Sequence, residues 1–200
     1  MEALIDLLAA VDWLEFAGFA SGLLCVWLLI RQDVRTWPLG IVYAVISIPV
    51  FLSRDLPAQA LLHGVFLVFN GYGWWYWARG GREGEAILPV TRTAPPVLAG
   101  LLVAALLAAL PLGLRGSGEV PAAVAFVDAA ILTLTLAAMW LSTRKKIENW
   151  VLWFVVDVLA SGLFLHQGLF FYAALYLVYL LMAVLGWRAW RVALAEPAPA

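Results

Sequence analysis

Residues 140–157 read Trp140-Leu-Ser-Thr-Arg144-Lys-Lys-Ile-Glu-Asn-Trp150-Val-Leu-Trp153-Phe-Val-Val-Asp157, and the tryptophans of this stretch have earlier counterparts. Sliding the chain by 113 residues places Trp27, Trp37, Trp74 and Trp77 on Trp140, Trp150, Trp187 and Trp190 without a gap. The same offset places Glu15 on Asp128, Arg31 on Arg144, Phe51 on Phe164 and Gly73 on Gly186. With 11 tryptophans in 200 residues, four coincidences at one offset mark an internal duplication.

The medium in which the two copies fold follows from composition. Hydrophobic residues make up 65% of the chain, charged residues 12%, and the mean hydropathy is +0.96. A soluble domain carries about 45–50% apolar and about 25% charged residues, so this chain lacks the charge to cover a water-facing surface. A crossing helix needs about 20 apolar residues for about 30 Å of hydrocarbon. Seven such spans are expected, at roughly 13–30, 37–53, 56–77, 95–113, 121–142, 148–165 and 168–187. The expected fold is an all-α integral membrane protein with seven transmembrane helices. The acidic N-terminal residues Glu2 and Asp6, with no Lys or Arg beside them, do not match a signal peptide.

The duplication organises the spans. Residues 1–78 form a first three-helix repeat, 79–119 a linker with transmembrane helix 4, 120–191 a second repeat, and 192–200 a disordered tail. One helix between two three-helix units restores their orientation, so the 3+1+3 repeats are parallel, as in SWEET-like carriers that bind substrate between halves near mid-bilayer. Sorting the cations by loop puts Arg31, Arg35, Arg79, Arg82, Arg92, Arg144, Lys145, Lys146, Arg188 and Arg191 on one side, and Arg54 and Arg115 on the other. The positive-inside rule then places the N-terminus outside and the C-terminus in the cytoplasm. Arg144, Lys145 and Lys146 serve in this scheme as topology determinants.

Several function classes fall away. A net charge of −1 gives no nucleic-acid footprint. One cysteine, Cys25, and two histidines leave little for a disulfide framework or a metal centre. No phosphate loop, HExxH or GxSxG motif occurs, so no enzyme activity, cofactor or metal is expected. A non-transporting scaffold stays open as a rival.

Ionisable groups within spans are costly and point to function. Asp157 shares a helix face with Trp150, Trp153 and Ser161, offering indole faces and a carboxylate to a flat cationic ring. Trp150 can equally be an interfacial anchor and Asp157 a helix-to-helix bond. On span 3, His63, Phe66 and Asn70 form a matching face, and on span 7 Tyr176 and Tyr179 occupy the repeat positions of His63 and Phe66. Hydroxyls and an amide there suit a ribose or another polyol. His63 can bind substrate, make a structural bond or relay protons. Glu15 and Asp128 suit a shared structural job, and Trp74, Trp77, Trp187 and Trp190 an interfacial aromatic belt. Pro38 and Pro49 are candidate hinges of span 2.

The run from Arg144 to Asp157, with Trp37-Pro-Leu-Gly and Gly71-Tyr-Gly-Trp-Trp-Tyr-Trp77 in the first half, resembles the PnuC family of nicotinamide riboside transporters. The resemblance covers spans 1–3 and 5–7 and weakens in span 4 and the linker. It implies a homotrimer in the bacterial plasma (inner) membrane working by facilitated diffusion, with uptake made directional by a cytoplasmic kinase that phosphorylates the nucleoside. Trp150, Trp153 and Asn70 match family residues that line the substrate site. His63 stands where the family commonly has glutamine, and Asp157 where some members have asparagine. Thiamine or another cationic vitamin, and a proton-coupled carrier using His63 and Asp157, are the alternatives.

Overall fold

The computed structural model describes residues 13–53, 57–80, 88–116, 118 and 120–195. Among the described residues there are seven helices: α1 (Trp13–Ile30), α2 (Thr36–Ser53), α3 (Pro57–Ala78), α4 (Pro95–Gly116), α5 (Ala122–Thr143), α6 (Asn149–His166) and α7 (Phe170–Ala195). Each matches one expected span. Four stretches are long and apolar enough to cross a bilayer: α4, α5, α6 and Tyr172–Ala195 of α7. The apolar stretches described in α1 and α2, Ala20–Ile30 and Thr36–Pro49, are shorter.

Two boundaries differ from expectation. The last helix continues to Ala195, so residues 192–195, expected in the disordered tail, are helical; residues 196–200 lie outside the described residues. Its 26 residues span about 39 Å at 1.5 Å each, more than the hydrocarbon requires. The cations at 188 and 191 end the membrane segment, whereas Val192-Ala-Leu-Ala195 are good helix formers, with no proline before Pro197. Pro38 lies in the first turn of α2, where a missing N–H costs nothing, and only Pro49 interrupts the helix interior.

The chain divides into two compact units, Met1–Gly71 and Tyr72–Ala200. The division falls inside α3, whose end packs within the second unit. There, Trp77 Nε1 donates to the Thr143 carbonyl at 3.1 Å, and its ring lies 6.2 Å from Trp190.

In the first unit α1 packs on α2. Thr36 Oγ1 donates to the Cys25 carbonyl at 2.9 Å, and Cys25 Sγ to the Thr36 carbonyl at 3.7 Å, tying the two helices across their turn. In the second unit α4 packs on α5, α5 on α6 and α6 on α7. Its core joins Ala105, Leu134, Ala137, Ala138, Leu141, Leu152 and Val156. Lipid is as apolar as leucine, so small residues that let backbones approach matter more here than apolarity. Thr133 and Ser142 turn their hydroxyls back onto carbonyls of their own helix, which satisfies the two donors locally.

Two turns 113 residues apart share their local geometry. The α1–α2 turn closes with Asp33 N donating to Leu28 O and Gln32 N to Leu29 O; the α5–α6 turn closes with Lys146 N on Leu141 O and Lys145 N on Ser142 O. Both are Schellman caps, which place one residue in the left-handed region. Gln32 (φ 57°) and Lys145 (φ 53°), 113 residues apart, fill that place. Arg31 lies 4.8 Å over Trp27, and its counterpart Arg144 lies 4.4 Å over Trp140.

Candidate functional site

Helix α6 carries the densest set of buried polar groups. Asn149, Trp150, Asp157 and Ser161 are all buried, and Trp153 is half-buried. Asp157 lies seven residues from Trp150 and seven from Phe164, about 10 Å along the axis from each. That places it midway along the helix. It is 4% exposed and forms no salt bridge among the described residues. Ser161, one turn further on, keeps a buried Oγ without a partner, as do Trp150 Nε1 and Asn149 Oδ1. Three unmet polar atoms along one helix are expensive in an apolar medium unless something joins them.

The two tryptophans of the expected stripe face different neighbours. Trp150, 1% exposed, packs into a notch at Gly186 of α7, where an added Cβ would meet its ring at 2.5 Å. Trp190 meets it edge-on at 5.5 Å. Gly186 is therefore required for close α6–α7 approach. Trp153 turns towards α5: its Nε1 donates to Ser142 Oγ at 3.3 Å, and its ring packs on the helix core. On α7, Tyr176 lies 5.3 Å from Phe164 and 5.8 Å from Tyr179, forming an aromatic cluster at the other end of the seam.

The candidates of the first unit also come together. His63 is buried, with Tyr43 at 5.6 Å and Phe66 at 5.8 Å. Asn70 Nδ2 donates to the Phe66 carbonyl at 2.8 Å, and its amide fills the space beside Gly40 of α2 that a Cβ would need. Glu15 lies where side chains are outside the described residues, and Asp128 is exposed on α5. The expected aromatic belt divides: Trp74 is exposed, whereas Trp77 and Trp190 are buried against each other.

Lys145 departs furthest from expectation. It is 2% exposed, donates from Nζ to the Leu88 carbonyl at 2.6 Å and sits 4.8 Å over the Trp77 ring. Burial pushes its ammonium down to about 8. The segment 88–93 runs along this turn: Thr91 N donates to Lys145 O at 3.1 Å and Ile147 N to Thr91 O at 3.0 Å. Glu148 Oε2 accepts from both the N–H and the hydroxyl of Thr93 at 2.9 Å. The later part of the expected polar linker is thus an anchored strap. Nothing local in the sequence signals it, since Lys145 and Leu88 are 57 positions apart.

Helices long and apolar enough for a bilayer, carrying buried polar groups midway along their length, define a multi-pass helical membrane protein with a transport-type interior. The chain belongs to the nicotinamide mononucleotide transporter family, whose model matches residues 12–192. A nicotinamide riboside transporter, PnuC of Escherichia coli, is 29% identical over 204 residues, covering 90% of this chain and 85% of that protein. A riboflavin/roseoflavin transporter, RibM of Streptomyces davaonensis, is 26% identical over 191 residues, with 90% and 85% covered. A crystal structure of the vitamin B3 transporter PnuC superposes with a TM-score of 0.68 at 19% identity, covering 96% of this chain and 86% of that one. That likeness concerns the fold. The relatives named here are transporters, not enzymes.

Proposed function

We propose that this protein carries nicotinamide riboside across the bacterial inner membrane. The observation that carries the substrate choice is Asp157, a carboxyl group buried midway along α6 with no salt bridge among the described residues. A carboxyl group buried in hydrocarbon carries its charge only when an opposite charge comes to lie beside it. Nicotinamide riboside brings a pyridinium, whereas the isoalloxazine carried by a riboflavin transporter is uncharged at neutral pH and gives a carboxylate no counter-charge. The carboxylate thus favours the nicotinamide relative over the riboflavin relative.

In this proposal Asp157 opposes the pyridinium and Trp153 offers it a ring face. Trp150 joins them when α7 parts from it at the Gly186 notch, which exposes the indole and its free Nε1. Tyr176 and Tyr179, and from the first unit His63, Phe66 and Asn70, are proposed as contacts to the ribose and the ring edge. The repeats, residues 1–78 and 120–191 about the linker 79–119, run parallel in a SWEET-like 3+1+3 order, with the N-terminus outside and the C-terminus in the cytoplasm. Support for the duplication comes from the shared Schellman caps and the Trp–Arg pairs at one offset. The carrier works by facilitated diffusion as a homotrimer, and a cytoplasmic kinase traps its cargo.

Binding to purified protein tests the proposal. Asp157→Ala and Trp153→Ala are expected to weaken nicotinamide riboside binding about 10- to 100-fold, the range of a charged contact, with assembly retained. Loss of assembly in both would make these residues structural. Tight thiamine binding without nicotinamide riboside binding would replace the substrate. Uptake into vesicles that follows an imposed pH gradient would replace facilitated diffusion with proton coupling.

A further inference from the structure

Arg144 caps the C-terminus of α5, a helix long and apolar enough to cross the membrane. Its guanidinium carbon lies 4.4 Å from the Trp140 ring, 5.1 Å from Tyr76 and 5.4 Å from Tyr72. The rings brace one another: Tyr72 stacks on Trp140 at 6.0 Å with an 11° tilt, and on Tyr76 at 5.8 Å with a 28° tilt. Ring faces attract the cation but leave its N–H edge unused. Among the described residues no carboxylate or carbonyl takes that edge, and Nε is buried without a partner. A guanidinium has five donors in a planar fork suited to a phosphate.

We propose that Arg144 and its ring cage bind the headgroup phosphate of an anionic phospholipid. Arg144 is the first residue beyond α5, whose 22 residues rise about 33 Å, so a bilayer crossed by that helix would bring its phosphates beside this residue. Trp140, one turn inward and 38% exposed, sits where the ester and first methylenes of that lipid would lie. Guanidinium and indole at this spacing suit an amphiphile and not a free anion, for which the exposed indole does nothing. A cation serving only membrane topology or the helix dipole would extend into water; this one is drawn back over three rings. The Trp-x-x-x-Arg spacing recurs at Trp27–Arg31, Trp75–Arg79 and Trp187–Arg191, the first two with the cation 4.8 Å and 5.4 Å over one ring. Among the described residues, the cage of three rings belongs to Arg144.

The test titrates full-length purified protein in mixed micelles with phosphatidylglycerol, phosphatidylcholine of the same acyl chains, or inorganic phosphate. Melting temperature and lipid adducts in native mass spectrometry are read together. Phosphatidylglycerol is expected to raise the melting temperature and persist as an adduct, while phosphatidylcholine and inorganic phosphate do neither. Arg144→Gln should abolish the adduct. Arg144→Lys, which keeps the charge but loses the fork, should at least halve the thermal shift and serves alone if the first variant does not fold. Arg92→Gln, which removes an exposed cation outside the cage, should change neither readout. Equal losses in Arg92→Gln and Arg144→Gln would overturn the proposal in favour of diffuse attraction. Full retention in Arg144→Lys, or the same shift from inorganic phosphate, would also overturn it.

Discussion

The α1–α2 turn and the α5–α6 turn are two copies of one device put to different uses. Both close in a Schellman cap on a left-handed residue that is not glycine, and both end five residues later in a buried tryptophan, Trp37 and Trp150. Their charges are exchanged: Asp33 and Arg35 in the first copy stand at the positions of Lys146 and Glu148 in the second. In the first copy the two charges serve each other, Arg35 gripping Asp33 at 2.6 Å on the surface. In the second they reach outward, Glu148 to Thr93 and Lys146 Nζ to the Arg92 carbonyl at 3.2 Å. The left-handed position also diverges: Gln32 is half-buried, whereas Lys145 is buried and holds Leu88. The two turns share the groups that set the backbone path and differ in those free of it, and the second turn moors the strap.

The left-handed positions should respond with opposite signs. Glycine relieves left-handed strain, so Gln32→Gly is expected to stabilise by about 0.5–1 kcal/mol. Lys145→Gly gains the same relief but strips the Leu88 carbonyl of its donor, for a net loss of about 1–3 kcal/mol. Thermal unfolding in detergent measures both, and equal signs would dissolve the contrast. The exchanged charges give a smaller effect. Glu148→Ala leaves two donors of Thr93 without an acceptor and should cost about 1–2 kcal/mol, with faster amide exchange across residues 88–94. Arg35→Ala should leave the melting temperature essentially unchanged, as loss of an exposed ion pair does.

The two turns also differ in pH window. Lys145 is lowered by burial from 10.5 to about 8, so the unfolded chain binds the extra proton between those values. Stability should therefore rise from pH 8 to 10.5, and Lys145→Met should flatten that rise. Asp33 is lowered from 3.8 to about 2, chiefly by its hydrogen bonds from Arg35. Its contribution is full above pH 3.8 and fades as pH falls to 2. Both charges of that pair are close to water, so this is the smallest effect, visible as a displaced carboxyl titration in carbon NMR that Arg35→Ala restores.

The spans were legible because each helix is a long apolar run, and the matched turns because tryptophan is rare enough for a coincidence to mean something. Asp157 was legible for the same reason: a carboxylate inside an apolar run stands out. Lys145 was not, since a lysine among basic loop residues reads as solvated, and only contacts with Leu88 and Trp77 bury it. Trp150 was half legible. The offset pairs Gly73 with Gly186 and Trp37 with Trp150, yet nothing in one dimension says that Gly186 is the notch for Trp150. The end of α7 escaped because charge ends a membrane segment without ending a helix.

The central claim is that the carboxylate of Asp157 selects a positively charged ring. Nicotinamide riboside and its dihydro form share the ribose and the ring frame but differ in ring charge, so their affinities for the purified protein isolate that term. The account predicts that the charged form binds at least ten-fold more tightly, and that Asp157→Asn brings the two together. Equal affinities in the unmodified protein, or a preference that survives Asp157→Asn, would contradict it.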